Sequence, residues 1–180
     1  MNLFALEKRI LDKKLLIPRK SIEKRVKKLA NQISLDYEGR EPVLIGVLKG
    51  VIFFLADLAR ELSIPAKIDF IRAASYGSSM TSSRTIQLTK DVEIPIQGKP
   101  VILVEDIVDT GLTLTHIMQE VERKGPESIR ICALIEKLER QETKVPIDYC
   151  GFRINEGFII GYGLDFDEKY RNLPDLYVLS

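Results

Sequence analysis

The sequence has no tryptophan, one histidine and two cysteines. Cys132 and Cys150 form neither a disulfide framework nor a C-x-x-C metal or redox pair, and read as free thiols in a reducing compartment. A lone imidazole, His116, makes no metal cluster and no nucleophilic triad, so it reads as structural. Excess charge of one sign is missing as well. Lys and Arg number 27 against 26 acids, a net charge of +1, which argues against general nucleic-acid coating. The basic stretch over residues 7–28 lacks interleaved aromatics and reads as a solvated helix face. Long apolar runs are also absent. Residues 43–56 are broken by Lys49-Gly50 and are too short to span a bilayer, and residues 1–16 carry charges where a signal peptide needs an apolar stretch. The expectation is a cytoplasmic protein with no membrane and no nucleic-acid partner.

What is present suits one well-packed domain. The 180 residues are 45% hydrophobic and 29% charged, enough to bury a core without staples. No internal repeat or linker divides them, so residues 1–180 are expected to form a single domain. Ile22, Val26, Leu29 and Ile33 recur at helical spacing between Pro18 and Gly39. The run VLIGVL at 43–48 is short, apolar and rich in β-branched residues, as a strand buried on both faces should be. Residues 51–62 return to helical spacing, 67–72 read as a strand, 101–104 as a second buried strand, 114–124 as a helix and 129–135 as a third buried strand. Strands alternating with helices imply an α/β fold, a mostly parallel sheet flanked by helices. The serine-rich stretch 73–83 (AASYGSSMTSS) shows no periodicity and reads as a loop of the kind that forms lids. From Tyr149 onward, short strands and glycine turns are expected.

The chemistry is concentrated in residues 101–113 (VILVEDIVDTGLT). Two carboxylates, Glu105 and Asp106, follow the apolar run 101–104, at the strand edge where open α/β sheets bind ligands. Asp109 precedes a turn of Thr110, Gly111 and Thr113 that opens a helix, whose amides and positive dipole end suit a phosphate. Three acids repel a bare phosphate. They make sense if they face hydroxyls, a divalent cation or a moving proton. A pentose 5-phosphate, laid along strand end, turn and helix start, satisfies both needs.

This segment resembles the signature of the type I phosphoribosyltransferases, which bind 5-phosphoribosyl 1-pyrophosphate (PRPP). From about Ile17 to the C-terminus the chain is similar to their hypoxanthine(-guanine) branch, through Leu48-Lys49-Gly50, Ser75-Tyr76, Glu136-Lys137, Gly161-Tyr162-Gly163-Leu164-Asp165 and Arg171. The resemblance implies a parallel-sheet core (about 38–148) and a small hood from the chain ends (about 1–37 and 149–180). It implies transfer of phosphoribosyl from PRPP to N9 of a 6-oxopurine, giving IMP or GMP and pyrophosphate, with Mg²⁺ as cofactor. It also assigns roles. Glu105 and Asp106 would face the ribose hydroxyls, and Asp109 would be the acid–base residue near purine N7. Thr110, Gly111, Leu112 and Thr113 would hold the 5′-phosphate. Lys49 and Gly50, in a loop that can carry a non-proline cis peptide, would hold pyrophosphate together with Arg171. Lys137 would donate to purine O6, Phe158 would stack on the base, and Ile159 and Asp165 would border it. Asp165, Glu105 and Asp106 would serve magnesium, and Ser75 and Tyr76 a lid. A dimer or tetramer is implied as well.

Two other readings share these motifs. One is a nucleotide-sensing regulator on the same fold. The other is a transferase acting on xanthine, adenine or uracil. A donor-only ammonium at Lys137 matches an oxo group and offers nothing to an amino group, and with Phe158 it weighs against adenine and uracil, while xanthine stays open.

Overall fold

The computed structural model describes residues 13–76, 85–139 and 142–179. Six strands form the central sheet in the order β4-β3-β2-β5-β6-β7. They are β2 (Val43–Val47), β3 (Lys67–Tyr76), β4 (Thr85–Lys90), β5 (Pro100–Val108), β6 (Ser128–Lys137) and β7 (Tyr149–Ile154). All neighbours pair in parallel except β4, which runs antiparallel to β3 at one edge. The α/β expectation holds: a mostly parallel sheet flanked by helices.

Period-two alternation explains why the inner strands read as unbroken apolar runs. Val43, Ile45, Val101 and Leu103 enter one hydrophobic cluster, while Leu44, Ile102 and Val104 enter the cluster on the other face. Helices α1 (Arg19–Asp36) and α2 (Ile52–Glu61) cover the second face with Ile22, Val26, Leu29, Ile33, Phe54, Leu55 and Leu58. Helix α3 (Leu112–Glu122) covers the first with Leu114, Ile117 and Val121. Gly46 lets α2 lie close: a Cβ there would stand 2.7 Å from Leu55 Cδ2.

A second sheet has the order β1-β9-β8 and joins the two ends of the chain, β1 (Lys13–Ile17), β8 (Phe158–Ile160) and β9 (Leu176–Leu179), all antiparallel. Ile17, Ile159 and Leu176 bury its inner face in the same hydrophobic cluster as α1 and α2, and two hydrogen bonds add to this. Asp175 Oδ1 accepts the backbone N–H of Arg19 at the start of α1, and the Tyr162 hydroxyl donates to Asp57 Oδ2 on α2. Helix α1 and strand β7 pack with the central sheet.

Two features differ from the sequence reading. Residues 73–76, expected in a loop, continue β3, because β4 pairs with them as an antiparallel ribbon. The rest of the expected lid stretch 73–83, from residue 77 on, lies outside the described residues. Strand β5 also runs past Val104 to Val108, since β6 stays in register with it to Val108↔Glu136. Glu105 and Asp106 are therefore inside the second half of the strand rather than at its end.

Candidate active site

Sheet order sets the place of the site. The chain leaves β2 toward β3 on one side, and β5 pairs on the other, so the order reverses between β2 and β5. A crevice opens there, outside the carboxyl ends of the strands. A cleft of about 240 Å³ occupies this point, lined by Val47 and Leu48 after β2, by Glu105, Asp106 and Asp109, and by Thr110, Gly111 and Thr113 at the start of α3. The structure thus unites the three acids and the turn. Leu112, expected with them, does not line the cleft.

The turn is built by glycine. Gly111 has φ +80° and caps α3, and a Cβ there would stand 2.3 Å from the Thr143 carbonyl oxygen. Thr143 and Glu142 donate their backbone N–H groups to the Thr110 oxygen, which ties the turn to the chain beyond β6.

Burial dominates the electrostatics of the acidic pair. Desolvation first, and then the charge of Asp106, push the Glu105 carboxyl well above the ordinary range. Burial likewise raises Asp106, opposed in part by the Ile107 N–H that its Oδ1 accepts at 2.9 Å. The two carboxyls also interact with each other, and the Arg171 charge acts to lower Asp106. Asp109 differs: its Oδ2 lies 3.6 Å from Lys137 Nζ, and its buried Oδ1 has no hydrogen-bond partner among the described residues. An unmet buried acceptor calls for a donor.

The segment after β2 closes one side. The Leu48–Lys49 peptide is cis. Gly50 packs directly on Asp106, where a Cβ would fall 1.6 Å from Oδ2. A Cβ on Gly163 would fall 1.9 Å from the Gly50 oxygen. Two glycines therefore let the 48–50 segment, the β5 acids and the turn after β8 meet. That turn brings Arg171 and Asp165 together at 2.8 Å, and Arg171 also donates to the Gly163 oxygen at 2.7 Å.

A second cleft of about 270 Å³ is lined by Lys137, Glu139, Asn155, Glu156, Gly157 and Phe158. Phe158 is 50% exposed and meets Phe166 edge-on at 5.4 Å, so its ring has a free face for a ligand. Lys137 and Phe158 are brought together as expected. Ile159 is 5% exposed and belongs to the core. Asp165 lies instead with Arg171 and Glu168, whose backbone N–H it accepts at 2.8 Å. Ser75 and Tyr76 are on β3 by their backbone, and nothing further of them is described.

Sequence reasoning passed over Glu168 and Phe166. Both lie in the run between Asp165 and Arg171, and the signal was there: three acids, 165, 167 and 168, crowd one turn.

Among the described residues no group of three or more His, Cys, Asp or Glu is arranged around a metal position. Magnesium needs less than that, since it keeps waters and takes one or two carboxylates beside substrate phosphates. Glu105 and Asp106, adjacent carboxylates lining the cleft, are the donor set such a cation would use.

A sheet crevice that sets paired carboxylates beside a glycine turn at a helix start defines a binder of phosphorylated sugars. The chain belongs to the phosphoribosyltransferase family, in its hypoxanthine(-guanine) branch: the family model described as phosphoribosyl transferase domain matches residues 17–167. The hypoxanthine phosphoribosyltransferase of Salmonella typhimurium is 42% identical over 161 residues, 88% of this chain and 90% of the relative. The hypoxanthine-guanine phosphoribosyltransferase of Aquifex aeolicus is 42% identical over 168 residues, covering 93% and 94%. A crystal structure of a hypoxanthine-guanine phosphoribosyltransferase from Bacillus anthracis superposes with a TM-score of 0.88 at 42% identity, over 93% of this chain and 98% of that one.

Proposed function

We propose that the protein transfers the 5-phosphoribosyl group of PRPP to N9 of hypoxanthine, and of guanine, in purine salvage. The observation that carries this reading is the pair Asp109–Lys137, an acceptor and a donor side by side between the sugar-phosphate cleft and the Phe158 cleft. The named activities of the relatives support it.

The chain's residues divide the work by charge. Amides and hydroxyls of Thr110, Gly111 and Thr113 hold the 5′-phosphate. Glu105 and Asp106 accept from the ribose hydroxyls and offset the positive charge that develops as the bond from C1 to pyrophosphate breaks. Lys49 and Arg171 take the charge of the leaving group. On the other side, Lys137 donates to purine O6, and Asp109 accepts the proton from N7 as N9 attacks. Its last torsion is broad, so either carboxylate oxygen can turn to the base. Glu105, Asp106 and Asp165, the last directly or through water, would hold Mg²⁺, which would supply further neutralisation of the pyrophosphate oxygens. No helix among the described residues is long and apolar enough to cross a membrane. A cytoplasmic location and a homo-oligomer, dimer or tetramer, complete the reading. The oligomer draws support from a relative in Trypanosoma cruzi whose C-terminal region was studied for its role in oligomeric state.

The test is a PRPP-plus-magnesium assay against hypoxanthine, guanine, xanthine, adenine and uracil. Turnover of hypoxanthine and guanine, with adenine and uracil inert, is expected. Inertness toward both 6-oxopurines, together with retention of RNA or DNA at low salt, would favour the regulator instead.

A further inference from the structure

Glu168 sits where a bound anion is needed. Its Oε1 accepts from Lys49 Nζ at 2.9 Å and its Oε2 accepts from Arg171 Nη2 at 3.1 Å. One carboxylate thus spans two cations from segments far apart in the sequence, and these are the two cations assigned above to pyrophosphate.

Several features make this a temporary contact rather than a brace. The Glu168 side chain is 64% exposed, so its carboxylate can leave without opening the core. Arg171 does not depend on it, being fixed independently by the Gly163 oxygen and by Asp165. Lys49, in contrast, has Glu168 as its one ion-pair partner among the described residues. The backbone holds the carboxylate in position at some cost. Glu168 has φ +59°, next to Asp167 at +51°, a region that side-chain-bearing residues rarely enter, and the Asp165 carboxylate fixes it by accepting the Glu168 N–H. Lys49 and Arg171 also hold the Glu168 carboxyl below the ordinary range, so it is an anion at neutral pH.

We propose that Glu168 is an internal counter-anion: it occupies the seat of the pyrophosphate group between Lys49 and Arg171, is displaced when PRPP enters, and returns as pyrophosphate leaves. The inference rests on the phosphoribosyl-transfer reading of the same site. In the empty enzyme Glu168 keeps two cations of unlike origin at the right separation. Against the ligand it acts as a competitor, weakening the hold on pyrophosphate and hastening product release.

Calorimetry with inorganic pyrophosphate in magnesium chloride, at fixed ionic strength, tests this on the parent, Glu168→Gln, Glu168→Ala and Asp167→Asn. Asp167 is a neighbouring exposed acid paired to Lys169, so its loss changes local charge without emptying the seat. Both Glu168 variants are expected to bind pyrophosphate about three- to thirtyfold more tightly, the range two exposed ion pairs can supply. Asp167→Asn should change it less than about twofold, and IMP, which carries nothing in that seat, should bind all four proteins alike. Unchanged or weaker pyrophosphate binding by Glu168→Gln overturns the proposal, as does equal tightening by Asp167→Asn. A parent that binds IMP and yet gives no heat with pyrophosphate overturns it also. A parent that binds neither overturns the reading of the site, and the inference with it.

Discussion

Lys137 Nζ stands 3.6 Å from Asp109 Oδ2. The contact is the next step in register beyond Val108↔Glu136, so the ends of two neighbouring parallel strands set opposite charges side by side. Lys137 is 9% exposed, and a buried ammonium is retained only where it has partners. Asp109→Asn keeps the shape and removes the charge. Turnover should fall about ten- to a thousandfold, the usual scale of acid–base contributions, with the unfolding midpoint little moved. In a double-mutant cycle with Lys137→Met, kcat/KM for hypoxanthine should show a coupling of about 0.5–3 kcal/mol. Additive losses would mean the two side chains act separately.

The acidic pair makes a prediction about pH. A carboxyl whose folded pKa is raised contributes stability that is fully present below its unfolded value, near 4, and that is lost as pH rises through the folded value. Glu105 and Asp106 are both raised by burial. The ligand-free protein should therefore be relieved by Glu105→Gln at neutral pH, and much less so at pH 4. Thermal melts of parent and variant between pH 4 and 8 should diverge as pH increases. Parallel curves would remove the shared burial cost.

Gly163 is where the 48–50 segment is held against the tail. Its φ of +105° is unsuited to a side chain, and an added Cβ would meet the Gly50 oxygen. Gly163→Ala should displace Lys49 and weaken PRPP about ten- to a hundredfold, the equivalent of 1–3 kcal/mol of strain, while far-ultraviolet circular dichroism stays that of the parent. Undiminished PRPP affinity would show that the packing of these glycines does not shape the pyrophosphate seat.

Asp69 is a structural counterpart to these acids. It is 6% exposed, and its carboxylate accepts the N–H groups of Phe70, Glu93 and Ile94 and lies 3.5 Å from Lys90 Nζ. Burial pushes its carboxyl up, but the backbone donors win and hold it below the ordinary range. Its stabilisation is present above about pH 4 and lost as pH falls through the folded value. Asp69→Ala should cost about 2–4 kcal/mol at neutral pH by leaving those donors unpaired, and the cost should be smaller in acid, where the parent loses the part that depends on its charge. Urea unfolding at pH 7 and at pH 3 measures both.

The inner strands were legible because their physics is local. β2, β5 and β6 are buried on both faces, so burial writes itself as uninterrupted apolar runs. The β3–β4 ribbon was not legible beyond Arg72. Residues 73–76 carry no apolar run, and the alternation of Ile86 and Leu88 in β4 is brief. β1 finds its partner only across the whole chain, Lys13 opposite Leu179, a pairing no window of sequence contains. The site divides the same way. Residues 105–113 are contiguous and read as one unit. Glu168 reads as one more charge on a solvated turn until the fold carries Lys49 to within 2.9 Å of it.

A crystal structure of the protein with IMP addresses the central claim most directly. The account places the phosphate on the amides of the Thr110–Gly111–Thr113 turn, the ribose hydroxyls against Glu105 and Asp106, and the purine between Phe158 and the Asp109–Lys137 pair, with O6 toward Lys137. A nucleotide seated outside the crevice between β2 and β5, or bound with its base away from Lys137, would contradict it.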